Sequence, residues 1–126
     1  MLATLEFKET RDTPEVLLDK KNNQFKIKGN SLPEDSAKFY FPILDWIQEY
    51  IKDPNKSTHL ICNLEYFNSS SAKMIYQIFI EFEKIKDTGN EVKISWYYEP
   101  DDKLIEEKGQ EYQSILDIPF ELIMSK

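Results

Sequence analysis

With one cysteine, one histidine and three glycines in 126 residues, several chemistries lack their usual parts. Cys62 by itself closes no intramolecular disulfide, so the fold must stand on packing and suits a reducing compartment, with the cytoplasm as the expected location. One histidine and one cysteine cannot supply the soft ligands of a zinc site. The acidic groups Asp101, Asp102, Glu106, Glu107 and Glu111 lack the alternating spacing and glycine of a calcium loop, so no metal is expected. Neither G-x-G-x-x-G nor a P-loop pattern is present, which leaves a nucleotide without its cradle and predicts no cofactor. Met1 to Leu5 runs straight into Glu6, Lys8 and Glu9, unlike a signal peptide, and no apolar run approaches the length that crosses a bilayer. Neither a leader nor a membrane contact is expected. Basic charge is also in deficit: 16 Lys and Arg stand against 23 Asp and Glu, a formal charge of −7 that opposes a phosphate-backbone surface and argues against nucleic acid as a partner.

What is present is a substantial apolar load. Forty per cent of residues are hydrophobic, including eight Phe, seven Tyr and two Trp, enough to bury a core and exclude intrinsic disorder. The length predicts one domain over residues 1–126. Leu5 and Phe7 alternate with Thr4, Glu6 and Lys8 as a strand that ends by Pro14. Val16 to Asp19 and Phe25 to Lys28 read as a hairpin around Lys20 to Asn23. Gly29 to Ser36 is dense in turn formers and ends in helix-capping residues. Phe39, Ile43, Trp46, Ile47 and Tyr50 then recur at helical spacing, with Pro42 expected in the first turn or at a bend. His59 to Phe67 is the nearly continuous apolar run of an interior strand. A helix follows over 72–86, with Ile75, Ile78, Phe79, Phe82 and Ile85 inward and a stop at Gly89. Val92 to Tyr98 alternates as a strand, Asp101-Asp102 caps a helix toward Ile115 that Gly109 weakens, and Phe120 to Met124 closes the chain as a strand. The order β-β-β-α-β-α-β-α-β predicts an α/β fold, a mixed sheet covered by helices.

Catalysis needs a nucleophile and a base within hydrogen-bond reach. His59 lies at the far end of its strand from Ser69, roughly 30 Å away in extended chain, and reads as a surface residue, so a small serine hydrolase built on residues 69–71 lacks a base. The cluster Asn68-Ser69-Ser70-Ser71 is nonetheless distinctive, because it sits between an interior strand and a positively polarised helix start. Capping takes one side-chain oxygen; three serines in succession leave hydroxyls free for a kinase, whose phosphate adds about −1.5 to −2 charges where backbone amides receive it. Lys73, Tyr76 and Ile80 follow along the helix. Tyr76 and Ile80 form either an apolar contact strip beside Ser69 or packing against a neighbouring helix.

These segments resemble one family. Asn68 to Lys73 after Leu64-Glu65-Tyr66-Phe67, Gly29 to Glu34 leading into Phe39 to Trp46, and Trp96-Tyr97-Tyr98 followed by acidic residues, Gly109 and Glu111 are together similar to the SiaC family of bacterial regulatory phosphoproteins. The resemblance implies a STAS-like fold, akin to anti-sigma factor antagonists, and partner switching in which a Ser/Thr kinase phosphorylates the hydroxyl at the helix start and a phosphatase removes it. It implies that the unphosphorylated form activates a diguanylate cyclase, raising cyclic di-GMP and promoting aggregation or biofilm. Ser69 matches the phosphoacceptor, with Ser70 the alternative; Asn68, Ser70 and Ser71 would shape the loop on the partner side, with Lys73, Tyr76 and Ile80 on the adjoining rim. A constitutive interaction scaffold and an anti-sigma factor antagonist are the other binding roles open to such a chain.

Overall fold

In a computed structural model, which describes residues 2–125, the expected order of elements is present. Three strands come first, β1 (Leu5–Phe7), β2 (Glu15–Asp19) and β3 (Gln24–Ser31), followed by α1 (Ser36–Ile51) and β4 (Ser57–Phe67). Then come α2 (Ser69–Glu83) with a 3₁₀ turn at Lys84–Thr88, β5 (Glu91–Tyr98), α3 (Lys103–Ile115) and β6 (Phe120–Met124). The sheet runs β1-β2-β3-β4-β5-β6, antiparallel up to β3 and parallel from β3 to β6. Each parallel step moves one strand in the same direction through a helix, and right-handed crossovers therefore place all three helices on one face. The core agrees. Phe25 packs on Trp46 and Tyr50 of α1, while Trp96 packs on Phe79 of α2 and Tyr112 of α3. Leu60, Cys62, Leu64, Ile94 and Trp96 are buried on this face, and burial raises the Cys62 thiol far above its ordinary titration range, leaving it protonated and inert.

Some expectations are corrected. Gly29 to Ser31 is strand rather than turn, because β4 continues to Phe67 and gives this stretch a pairing partner; Gly29 takes a φ of +122° where the register shifts. Pro42 lies in the second turn of α1, not the first. Both Pro42 and Lys38, whose carbonyl loses its partner, are exposed, so the break in the hydrogen-bond ladder falls on the solvent side of the helix. Tyr40, absent from the predicted stripe, is fully buried, whereas Phe39 is only half-buried.

Parallel crossovers have one consequence for function. The carboxyl ends of β3 and β4 and the amino ends of α1 and α2 meet at one edge of the molecule, where Asn68 N donates to the Ser31 carbonyl at 3.0 Å.

Candidate functional site

Asn68 leaves β4 with extended backbone (φ −84°, ψ 174°), and its Oδ1 accepts from the Ser71 amide at 2.9 Å. An asparagine cap of this kind starts the helix at the next residue, so α2 begins at Ser69, three residues before the predicted start, and all three serines occupy its first turn. Asn68→Ala is expected to lower unfolding free energy by about 1 kcal/mol, read as a shift in the urea midpoint at constant slope.

The hydroxyls then separate by burial and by partner. Ser71 is fully buried, which corrects its expected place on the partner side: no other protein reaches it directly. Its Oγ accepts from Ser31 Oγ at 2.8 Å, and Ser31 is in turn bonded to the buried Tyr40 hydroxyl. Ser36, in the first turn of α1, lies 3.4 Å from Ser71 Oγ and 2.7 Å from Ser70 Oγ, and Ser70 donates to Asn68 Oδ1 at 3.2 Å. Each hydroxyl has one proton, and the two assigned donors fix the rest: Tyr40 to Ser31 to Ser71 to Ser36 to Ser70 to Asn68. Burial pushes the Tyr40 phenol well above its ordinary value, so it remains a neutral donor at the inner end. Ser69 stands outside this chain. It is exposed, and its hydroxyl has no hydrogen-bond partner among the described residues.

Beside Ser69 a groove of about 510 Å³ opens between the starts of α2 and α3, with Tyr66, Phe67, Ala72, Leu104 and Ile105 as its apolar lining. Tyr66 and Leu104 are 49% and 71% exposed, so the groove carries apolar surface with no cover. Lys73 and Lys108 are its cations; Lys108 pairs with Glu111 at 3.4 Å, whereas Lys73, one turn beyond Ser69, has no ion pair among the described residues. Tyr76 is half-buried and stacks on Tyr112 of α3 with centroids 6.3 Å apart. Packing between helices therefore accounts for much of Tyr76, and Ile80 likewise rests half-buried against the core.

His59 lies on the sheet face away from the helices and at the other end of β4 from Ser69, which leaves the 69–71 serines without an imidazole. Its Nε2 donates to Ser95 Oγ at 2.7 Å, and Ser95 donates to Glu121 Oε1 at 3.2 Å. The arrangement does not form a catalytic triad, because the carboxylate holds the serine rather than the imidazole and the Ser95 hydroxyl is fully buried. Burial first, then Lys93, holds the imidazole below its ordinary pKa. Among the described residues no group of three or more His, Cys, Asp and Glu side chains is placed to hold a metal ion, and no helix is long and apolar enough to cross a membrane.

Sequence reading missed Ser31, Ser36 and Tyr40. Their only signal was hydroxyl residues at the end of one strand and the start of a helix, and nothing local says that these ends converge on residues 68–71.

The chain and its fold have counterparts among known proteins. The family model described as SiaC family regulatory phosphoprotein matches residues 7–125. An uncharacterized protein of Pseudomonas aeruginosa strain UCBPP-PA14 is 25% identical over 119 residues, which make up 94% of each chain. The crystal structure of apo-SiaC from Pseudomonas aeruginosa superposes with a TM-score of 0.86 at 26% identity, covering 96% of this chain and 98% of that one. A chain in the crystal structure of the diguanylate cyclase SiaD in complex with its activator SiaC, also from Pseudomonas aeruginosa, matches with a TM-score of 0.89 at 25% identity, covering 96% and 99%.

Proposed function

The chain belongs to the SiaC family of regulatory phosphoproteins, and on that premise we propose that it is a non-catalytic partner switch of the cytoplasm. In this reading a Ser/Thr kinase phosphorylates Ser69, a phosphatase reverses it, and the unmodified form binds and activates a diguanylate cyclase. The observation that carries the assignment is the inequality of the three hydroxyls: Ser71 is buried and bonded, Ser70 is exposed but bonded to Ser36 and Asn68, and Ser69 alone is exposed with no partner among the described residues. A hydroxyl with no bonds to break enters a kinase active site at lower cost than a bonded one, which favours Ser69. The neighbouring groove, with Tyr66 and Leu104 uncovered and Lys73 without an ion pair among the described residues, supplies apolar contact surface and one uncommitted cation on an otherwise acidic rim within reach of the switch. The complex of SiaD with its activator SiaC supports the choice of a cyclase as that partner.

The assignment is tested by incubating the purified chain with ATP and a kinase fraction from the native cell, then mapping the phosphate by peptide mass spectrometry. Modification at Ser69 that disappears in Ser69→Ala is expected. Phosphate found only on residues far from the start of α2 would sink the switch.

A further inference from the structure

We infer that Ser36, on the neighbouring helix, is the specificity residue of this switch: by donating its proton to Ser70 it withholds that hydroxyl and leaves Ser69 as the sole acceptor. This rests on the reading above that the cluster is phosphorylated. Ser69 and Ser70 are adjacent, both exposed, and both in the first turn of α2, so neither sequence nor exposure separates them. The hydrogen bonds do. Ser70 Oγ accepts from Ser36 at 2.7 Å and donates to Asn68 Oδ1 at 3.2 Å, so its proton and one of its two lone pairs are committed.

Transfer requires the serine oxygen to attack the γ-phosphorus of ATP. The new Oγ–P bond forms as the bond to the β–γ bridging oxygen breaks, ADP departs, and the hydroxyl proton passes to a base of the kinase. At Ser69 nothing is broken to begin this. At Ser70 one of the two lone pairs is tied to Ser36, and the proton that must leave is tied to the cap, so both bonds must loosen as the oxygen turns to attack. The product is also disfavoured there. A dianion on Ser70 removes the donor that Asn68 Oδ1 accepts and puts negative charge against that oxygen, which at the same time holds the Ser71 amide at 2.9 Å. Ser36 is buried at the joint between α1 and α2, so its grip on Ser70 is part of the helix interface rather than a passing surface contact.

Two experiments decide this. First, wild type, Ser69→Ala, Ser36→Ala and the double variant are incubated with ATP and the native-cell kinase fraction, and site occupancy is mapped. Wild type should carry phosphate at Ser69 and Ser69→Ala essentially none; the double variant should regain it at Ser70, at least tenfold above Ser69→Ala. Strong Ser70 phosphorylation in Ser69→Ala with Ser36 intact would overturn the role of Ser36. Second, phosphoserine is installed during translation at position 69 or 70, with Ser36 intact or replaced by alanine, and thermal melts are compared. Esterified, Ser70 Oγ is also a poorer acceptor for the buried Ser36 hydroxyl, so phosphoserine at 70 should lower Tm by about 5 °C relative to phosphoserine at 69, and Ser36→Ala should shrink that gap. An equal Tm for the two positions, or a gap indifferent to Ser36, overturns the inference even if the kinase fraction modifies neither serine. Failure of modification in wild type would count against the phosphorylation reading itself, and the melts would still judge Ser36.

Discussion

Gly109→Ala is expected to destabilise the protein by about 2 kcal/mol, although helix propensity alone predicts a gain of about 1 kcal/mol at an interior helical position. The reversal comes from where α3 sits. A Cβ added at Gly109 would lie 2.5 Å from Trp96 Cδ1, 2.7 Å from Trp96 Nε1 and 2.7 Å from Leu122 Cδ2. The Leu122 methyl ends a half-buried side chain and can give way, but the two indole atoms cannot. Trp96 is fully buried, donates its indole hydrogen to the Ile105 carbonyl at 3.0 Å, and is packed against Phe67, Phe79 and Tyr112. Making room means lifting α3 off β5 and β6 or rotating an indole that has a hydrogen bond to lose, and overpacking of this kind costs typically about 1–3 kcal/mol, with the lost hydrogen bond added to it. The measurement is a urea unfolding curve for Gly109→Ala beside Gln110→Ala, an exposed control in the same turn. A midpoint for Gly109→Ala above wild type would mean that α3 does not rest on Trp96.

Gly109 also shows what was and was not legible in the sequence. The order of strands and helices could be read because each element buries one face: Val92, Ile94 and Trp96 mark a strand, and Ile75, Ile78, Phe79 and Phe82 mark a helix, whatever else they touch. Gly109 reads as a flaw in its helix because its reason is tertiary, an indole on β5. The start of α2 was misplaced for a local reason: Asn68 takes the capping role, which releases all three serines into the first turn. The hydroxyl chain could not be read at all. Ser31 and Ser71 are 40 residues apart, and their meeting depends on β3 and β4 being parallel neighbours whose ends align, with Ser31 opposite Phe67. What could be read of the site was its location at a strand-to-helix junction. Which hydroxyl is free depends on partners that only the fold supplies.

If the proposed switch operates, phosphorylation of Ser69 is expected to weaken binding to the proposed cyclase partner by more than a hundredfold, with Ser69→Ala close to wild type and Ser69→Asp intermediate. A loss of about 3 kcal/mol suffices for a factor above one hundred, and the site offers three ways to reach it. The phosphate adds about −1.5 to −2 charges at the rim of a groove already bordered by Glu65, Asp102, Glu107 and Glu111. Its bulk narrows access to the apolar lining at Tyr66 and Leu104. Lys73, one turn further along the same helix, becomes the natural counter-charge for the phosphate and is withdrawn from any acidic group on the partner. Aspartate carries one charge and less bulk, so it reproduces only part of the effect. None of this unfolds the helix, because negative charge in the first turn of α2 is favourable, and Tm should stay level or rise slightly. That pairing of outcomes is what separates a switch from damage: calorimetric titration of the cyclase should show the loss in affinity while thermal melts of the same samples show no loss in stability. Higher salt should narrow the gap between the modified and unmodified forms, since exposed charges are screened within about 8 Å at physiological ionic strength and within about 3 Å at 1 M. Equal affinity for Ser69→Ala, Ser69→Asp and the phosphorylated chain would instead mark a constitutive scaffold, on which the exposed hydroxyl of Ser69 has no say in what docks beside it.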